Sequence, residues 1–238
     1  MKKYLYLLLA VVFVFGIADI SSAATKKKVK KKSSAAPAAA VVETEEPAEA
    51  APAAAVEQTP AAETVTKVLK VYEDADSKDN HFAPTGWMGD YSDIKIKSEW
   101  IENTHSGKTC IKITYSGEMK QNAGWGGIYW QYPNGNWGQN KKGGVNLTGA
   151  KALTFWVRGD KGGEIISEFK MGGITGEFGD TDSRSIGPVT LTNKWEKYSV
   201  NLAGADLTNI IGGFCWAASK DDNPNGFVIY LDDMQYEY

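Results

Sequence analysis

NAGWGGIYWQYPNGNWG, running from Asn122 to Gly138, packs three tryptophans, two tyrosines and five glycines into one short segment. Aromatic side chains favour burial, whereas the Pro, Asn and Gly of PNGNWG mark an exposed turn. Alternation separates the two demands, because successive side chains of a strand point to opposite faces. Ile128, Trp130 and Tyr132 share one parity and are expected in a core. Trp125, Gly127, Tyr129 and Gln131 share the other, which mixes aromatic and polar groups and includes a glycine that leaves space. The turn is expected to set Trp137 at the rim of that second face. A strand with two unlike faces, closed by a glycine turn, predicts a sheet protein.

The same texture continues on both sides. Strand-like runs fall at Leu69–Tyr72, Ile94–Trp100, Thr109–Tyr115, Gly126–Tyr132, Ala152–Arg158, Ile165–Met171, Trp195–Leu202, Phe214–Ala218 and Phe227–Tyr236. Turn signals such as GDKGGE and DDNPNG divide them, and no stretch carries a helical period. Many short strands at this spacing predict an all-β, antiparallel jelly-roll sandwich over residues 68–238. In KALTFWVRGD, Leu153, Phe155 and Val157 form the apolar set, so Trp156 and Arg158 face the other way. In EIISEFKMG, Ile165, Phe169 and Met171 are expected inside, with Glu168 and Lys170 outside. Three strands are thus expected to present Trp125, Tyr129, Gln131, Trp156, Arg158, Glu168 and Lys170 on one non-core face. Sugars have apolar C–H faces and hydroxyl edges, so flat aromatics beside charged and amide groups suit a polysaccharide.

The N-terminus reads differently. Lys2 and Lys3 precede an apolar run from Leu7 to Phe15, and Ser21-Ser22-Ala23-Ala24 supplies small residues for cleavage. This pattern predicts a secretory signal over residues 1–24 and export to the periplasm or exterior of a bacterium. Residues 25–67 begin with a basic cluster, Lys26 to Lys32, and continue as an Ala/Pro/Glu tract without aromatics. Such a tract cannot bury enough surface to offset its ordering entropy and is expected to be a disordered spacer. The lysines are either a solvated linker end or a contact for anionic lipid or wall polymer. A net charge of −3 over 238 residues gives no support for nucleic-acid binding by the chain. Cys110 and Cys215 would share an oxidising compartment, which leaves open whether they pair or serve as separate core residues.

Catalytic patterns are missing. GEFGDTDS places Glu177, Asp180 and Asp182 in a glycine-rich loop rather than alternating along a strand, as paired glycosidase carboxylates of a jelly-roll enzyme would. SGKT at Ser106–Thr109 imitates the end of a phosphate loop, but Glu102 stands where its first glycine belongs. Neither Gly-x-Ser-x-Gly nor His-Glu-x-x-His occurs. A non-catalytic role is expected.

VYEDAD at residues 71–76, HSGKTCIKITY at 105–115, LTFWVRGDKGGE at 153–164, WEKYSVNLAGADLTNIIGGFCWA at 195–217 and FVIYLDDMQYE at 227–237 carry a resemblance. Together they resemble the jelly-roll, galactose-binding-like carbohydrate-binding modules of the calcium-containing type, as appended to bacterial glucanases. GGIYWQYPNGNWG is not part of that pattern. The resemblance implies non-catalytic polysaccharide binding and a structural Ca2+ tying the first strand to the last. Its ligands by position would be Glu73 or Asp74, the carbonyl of Lys108, and Asp232 or Asp233. Calcium takes six to eight oxygens, which carboxylates and carbonyls supply. The alternative is a structural envelope protein whose jelly roll mediates protein–protein contact.

Overall fold

Runs rich in Val, Ile, Tyr, Phe and Trp, broken by glycine turns, fold as the alternation demands. A computed structural model of the chain describes residues 67–238. The expected secretory signal and nearly all of the expected spacer, with Lys26–Lys32, lie outside the described residues. Thirteen strands are present there: β1 (Val68–Tyr72), β2 (Ala83–Gly89), β3 (Ile94–Trp100), β4 (Cys110–Tyr115), β5 (Trp125–Gln131), β6 (Ala152–Gly159), β7 (Ile165–Ile166), β8 (Glu168–Gly172), β9 (Ser183–Ile186), β10 (Val189–Thr190), β11 (Glu196–Asn201), β12 (Gly212–Ser219) and β13 (Phe227–Glu237). A single 3-10 turn, Tyr91–Asp93, separates β2 from β3.

The strands form an antiparallel jelly-roll sandwich. Sheet A runs β11-β6-β13-β4-β3, with β1 also paired to β13. Sheet B runs β2-β5-β12-β8-β9, and β10 pairs with β7 in a small ribbon. Strand β13 is long enough to serve two partners along one edge: Phe227–Leu231 pair with β4, and Met234–Glu237 with β1. Between those halves the register shifts at Asp232 and Asp233, a bulge that frees both carboxylates to reach a loop.

The inner faces interlock through aromatic rings. Phe155 of sheet A meets Phe169 and Phe214 of sheet B at centroid distances of 4.8 and 5.1 Å, and Trp130 meets Phe214 at 5.3 Å. Tyr236, fully buried, donates its hydroxyl to the Gly213 carbonyl at 2.6 Å and ties β13 to β12. Leu153, Phe155 and Val157 lie in the core, as alternation in β6 requires.

Two parity expectations fail, each because a strand stops early. Tyr132 is 47% exposed rather than core, since β5 ends at Gln131 and Pro133 follows with no N–H to extend pairing. Ile166, not Ile165, enters the core, because the run breaks at Ser167 into β7 and β8 and the parity resets. Cys110 and Cys215 are both free and buried, one on β4 of sheet A and one on β12 of sheet B.

Candidate functional site

The outward side of sheet B is best described row by row. One row carries Met88, Gly127, Ala217 and Glu168 on β2, β5, β12 and β8. The next carries Gly86, Tyr129, Cys215, Lys170 and Ser185. Trp125 and Ser219 face each other at one end, and Trp125 is 40% exposed. Gly127 and Ala217 are small, so a strip between Trp125 and Tyr129 has a low floor. Glu168 and Lys170 form its far wall, joined by an ion pair of 3.1 Å. The Lys170 ammonium lies 5.5 Å from the centre of the Tyr129 ring.

The other end of the face is closed by the protein's own loops. Tyr129 is 3% exposed and Gln131 fully buried. Gln131 donates from its amide to the Asn136 carbonyl at 2.9 Å, and Trp137 sits edge-on to Tyr129 at 6.0 Å. Tyr129 donates its hydroxyl to the Gly172 carbonyl at 3.0 Å, and Ile174, Ile211 and Cys215 complete a small apolar cluster around it. Asp180 holds this cover down, accepting the Ile174 N–H at 2.7 Å, the Gly212 N–H at 3.1 Å and the Ile211 N–H. Burial raises the Asp180 carboxyl above its ordinary value despite these donors. Asp182 is engaged too, by the Arg184 guanidinium and the Asp206 N–H.

Trp125 has a support of its own. Asp90 is fully buried and accepts N–H groups of Gln121 at 2.8 Å, Ala123 at 3.0 Å and Gly124 at 2.8 Å. Its own N–H donates to the Trp125 carbonyl at 2.7 Å. Burial pulls this carboxyl up, but the backbone donors outweigh it and hold it below its ordinary value. Gly89, at φ +61°, passes under Trp125 so closely that a Cβ would lie 2.2 Å from the Trp125 carbonyl oxygen.

Trp156 and Arg158 do not join this face. They project from the outward side of sheet A, because β6 pairs with β11 and β13 rather than with β5 or β8. Parity told which residues leave the core but not from which sheet. His105 stacks on Trp156 at 3.8 Å, and Arg158 is buried against the Tyr230 ring. Sequence reasoning missed Met88, Ala217, Ser219 and Ser185; the alternation in APTGWMG and GFCWAAS carries the first three.

The expected calcium ligands gather around one loop, residues 103–109. Asp74 accepts the N–H groups of Lys108 at 2.7 Å and Thr109 at 2.8 Å. Asp232 accepts from the His105, Ser106 and Asp233 N–H groups. Asp233 takes the Ser106 hydroxyl and is 2.7 Å from His105 Nδ1. Burial, with the neighbouring Asp233 charge, pushes the Asp232 carboxyl up to about 6. Glu73 pairs with Lys70. Carboxylates turned toward N–H donors hold a loop; they do not assemble the oxygen shell calcium requires. Among the described residues no group of three or more His, Cys, Asp or Glu is placed to hold a metal. The residues fit a hydrogen-bonded clamp, not that ion.

No family model and no curated protein matches the chain. Solved structures do. A family 30 carbohydrate-binding module is similar at TM-score 0.49 and 12% identity, covering 72% of this chain and 87% of the module. The family 11 module of a cellulosomal cellulase of Clostridium thermocellum is similar at TM-score 0.45 and 14% identity, over 72% and 93%. A family 29 module variant complexed with cellulohexaose is similar at TM-score 0.41 and 10% identity, over 72% and 91%.

Proposed function

We propose that the chain is an exported, non-catalytic binding protein that holds a neutral polysaccharide on the outward face of sheet B. The observation that carries this reading is the strip beside Trp125. A half-exposed indole adjoins a floor of Gly127 and Ala217 and the paired charges of Glu168 and Lys170. An indole face stacks on sugar C–H groups, and the carboxylate, ammonium and Ser219 hydroxyl bond to hydroxyl edges. Tyr129 and Gln131 serve as the support under this strip rather than as ligand contacts, since loops cover them, and half-buried Trp137 belongs to the covering loop. The Lys26–Lys32 cluster belongs to the same proposal as an envelope contact.

Affinity electrophoresis through soluble β-glucan, xylan and mannan tests it. Retardation by at least one neutral polymer is expected, weakened roughly five- to thirtyfold in Trp125→Ala, since one aromatic stack contributes roughly 1–2 kcal/mol. Ala217→Leu, which fills the strip from the surface, is expected to weaken retention with an unchanged melting temperature. Free migration through all three polymers sinks the reading and leaves the structural, assembly-mediating role. The covering of Tyr129 by its own loops favours that second role.

A further inference from the structure

The outward face of sheet A carries a row that the neutral-sugar reading does not use. Lys97 on β3 lies directly opposite Lys112 on β4; Lys112 lies opposite Tyr230 on β13; Tyr230 lies opposite Arg158 on β6. Like charges directly opposed across strands destabilise a sheet. Among the described residues none of the ion pairs involves Lys97, Lys112 or Arg158, and the Asp160 carboxylate at the row accepts the Tyr230 hydroxyl at 3.1 Å. Arg158 is 7% exposed; its guanidinium donates to the Gly159 carbonyl at 3.3 Å, and its Nε has no hydrogen-bond partner. A guanidinium so buried ordinarily finds a carboxylate, because an unpaired buried charge is costly.

Aromatic rings supply part of the compensation. The Arg158 guanidinium lies 3.8 Å from the Tyr230 ring centre and 5.4 Å from that of Trp195, and the Lys112 ammonium 3.8 Å from Trp100. Such contacts stabilise each cation by about 0.5–2 kcal/mol, but they leave its charge in place. What remains is a row of three cations across four adjacent strands, roughly 14 Å long at about 4.8 Å per strand. Half-buried Trp100 lies over Lys112 and 6.4 Å from the Tyr230 ring, and half-buried Trp195 lies beside Arg158, so Tyr230 and Arg158 are buried while Lys97 is exposed and Lys112 half-buried.

We infer that this row is a second binding site, for a carboxylate-bearing polysaccharide such as a polyuronate. A uronate chain offers one anion per sugar along its length, which exposed Lys97 and half-buried Lys112 on neighbouring strands can meet, and apolar ring faces for the half-buried indoles; buried Arg158 supports the row through the Tyr230 ring rather than touching the chain. The inference does not depend on the Trp125 strip, and the two faces belong to opposite sheets.

Affinity electrophoresis of the full chain through polygalacturonate tests it, with neutral β-glucan and duplex DNA as parallel arms. Retardation by polygalacturonate is expected at low salt and is expected to fade as salt screens the charges. The double variant Lys97→Gln/Lys112→Gln is expected to weaken it roughly tenfold, since two exposed ion pairs contribute up to about 1 kcal/mol each. Trp125→Ala is expected to leave it unchanged, which separates this site from the neutral-sugar strip. Three results would overturn the inference: no retardation by polygalacturonate, retention undiminished in the double variant (as if the Lys26–Lys32 cluster held the polymer), or equal retention by duplex DNA, which carries no carboxylates. Circular dichroism of the double variant distinguishes a lost site from a lost fold.

Discussion

Asp90 shows how much one side chain organises here. Its carboxylate replaces water with three backbone N–H groups of the segment leading into Trp125, and its own N–H engages the Trp125 carbonyl. Removing such a buried acceptor leaves several amides unsatisfied, at a cost of about 2–4 kcal/mol for Asp90→Ala. The sign of its pH dependence follows from the lowered pKa. The charged form is favoured in the folded protein, so its contribution is present above the unfolded carboxyl's pKa and is lost as pH falls through the folded value. Melting temperature is therefore expected to drop on acidification below about pH 4, and less steeply in Asp90→Asn. Parallel acid slopes in the two proteins would show that this carboxylate is not the titrating group. None of this was legible in GDYSD, because the partners of Asp90 lie about thirty residues away.

At the scale of elements, alternation was a reliable guide wherever a strand ran unbroken. Leu153, Phe155 and Val157 in β6, and Ile128 and Trp130 in β5, are buried as their parity requires. It failed at Tyr132 and Ile165, where a strand ended or was interrupted, since one break shifts every later side chain to the other face. Phe155 joins both sheets through Phe169 and Phe214, so Phe155→Ala is expected to cost about 3–5 kcal/mol, read as a lower denaturant midpoint with unchanged slope. A loss under about 1 kcal/mol would mean that the two sheets repack around the gap.

The whole molecule decides which surfaces exist. Two sheets give two outward faces, one with Trp125 beside Glu168 and Lys170, the other with the Lys97–Lys112–Tyr230–Arg158 row. The loop of residues 103–109 is clamped by hydrogen bonds between Asp74 near the first strand and Asp232–Asp233 of the last. Excess chelator is accordingly expected to leave the melting temperature unchanged; a fall reversed by added Ca2+ would restore the metal reading. The sequence by itself determined the class of fold, the core parity of β5 and β6, and the polar–aromatic character of the outward residues, because these follow from a local period of two. Only the tertiary structure decided that Trp156 and Arg158 belong to the opposite side from Trp125, that Tyr129 and Gln131 are covered, and that the expected calcium ligands hold a loop. Sheet membership and loop docking depend on pairings between residues far apart in the chain, which no local pattern encodes.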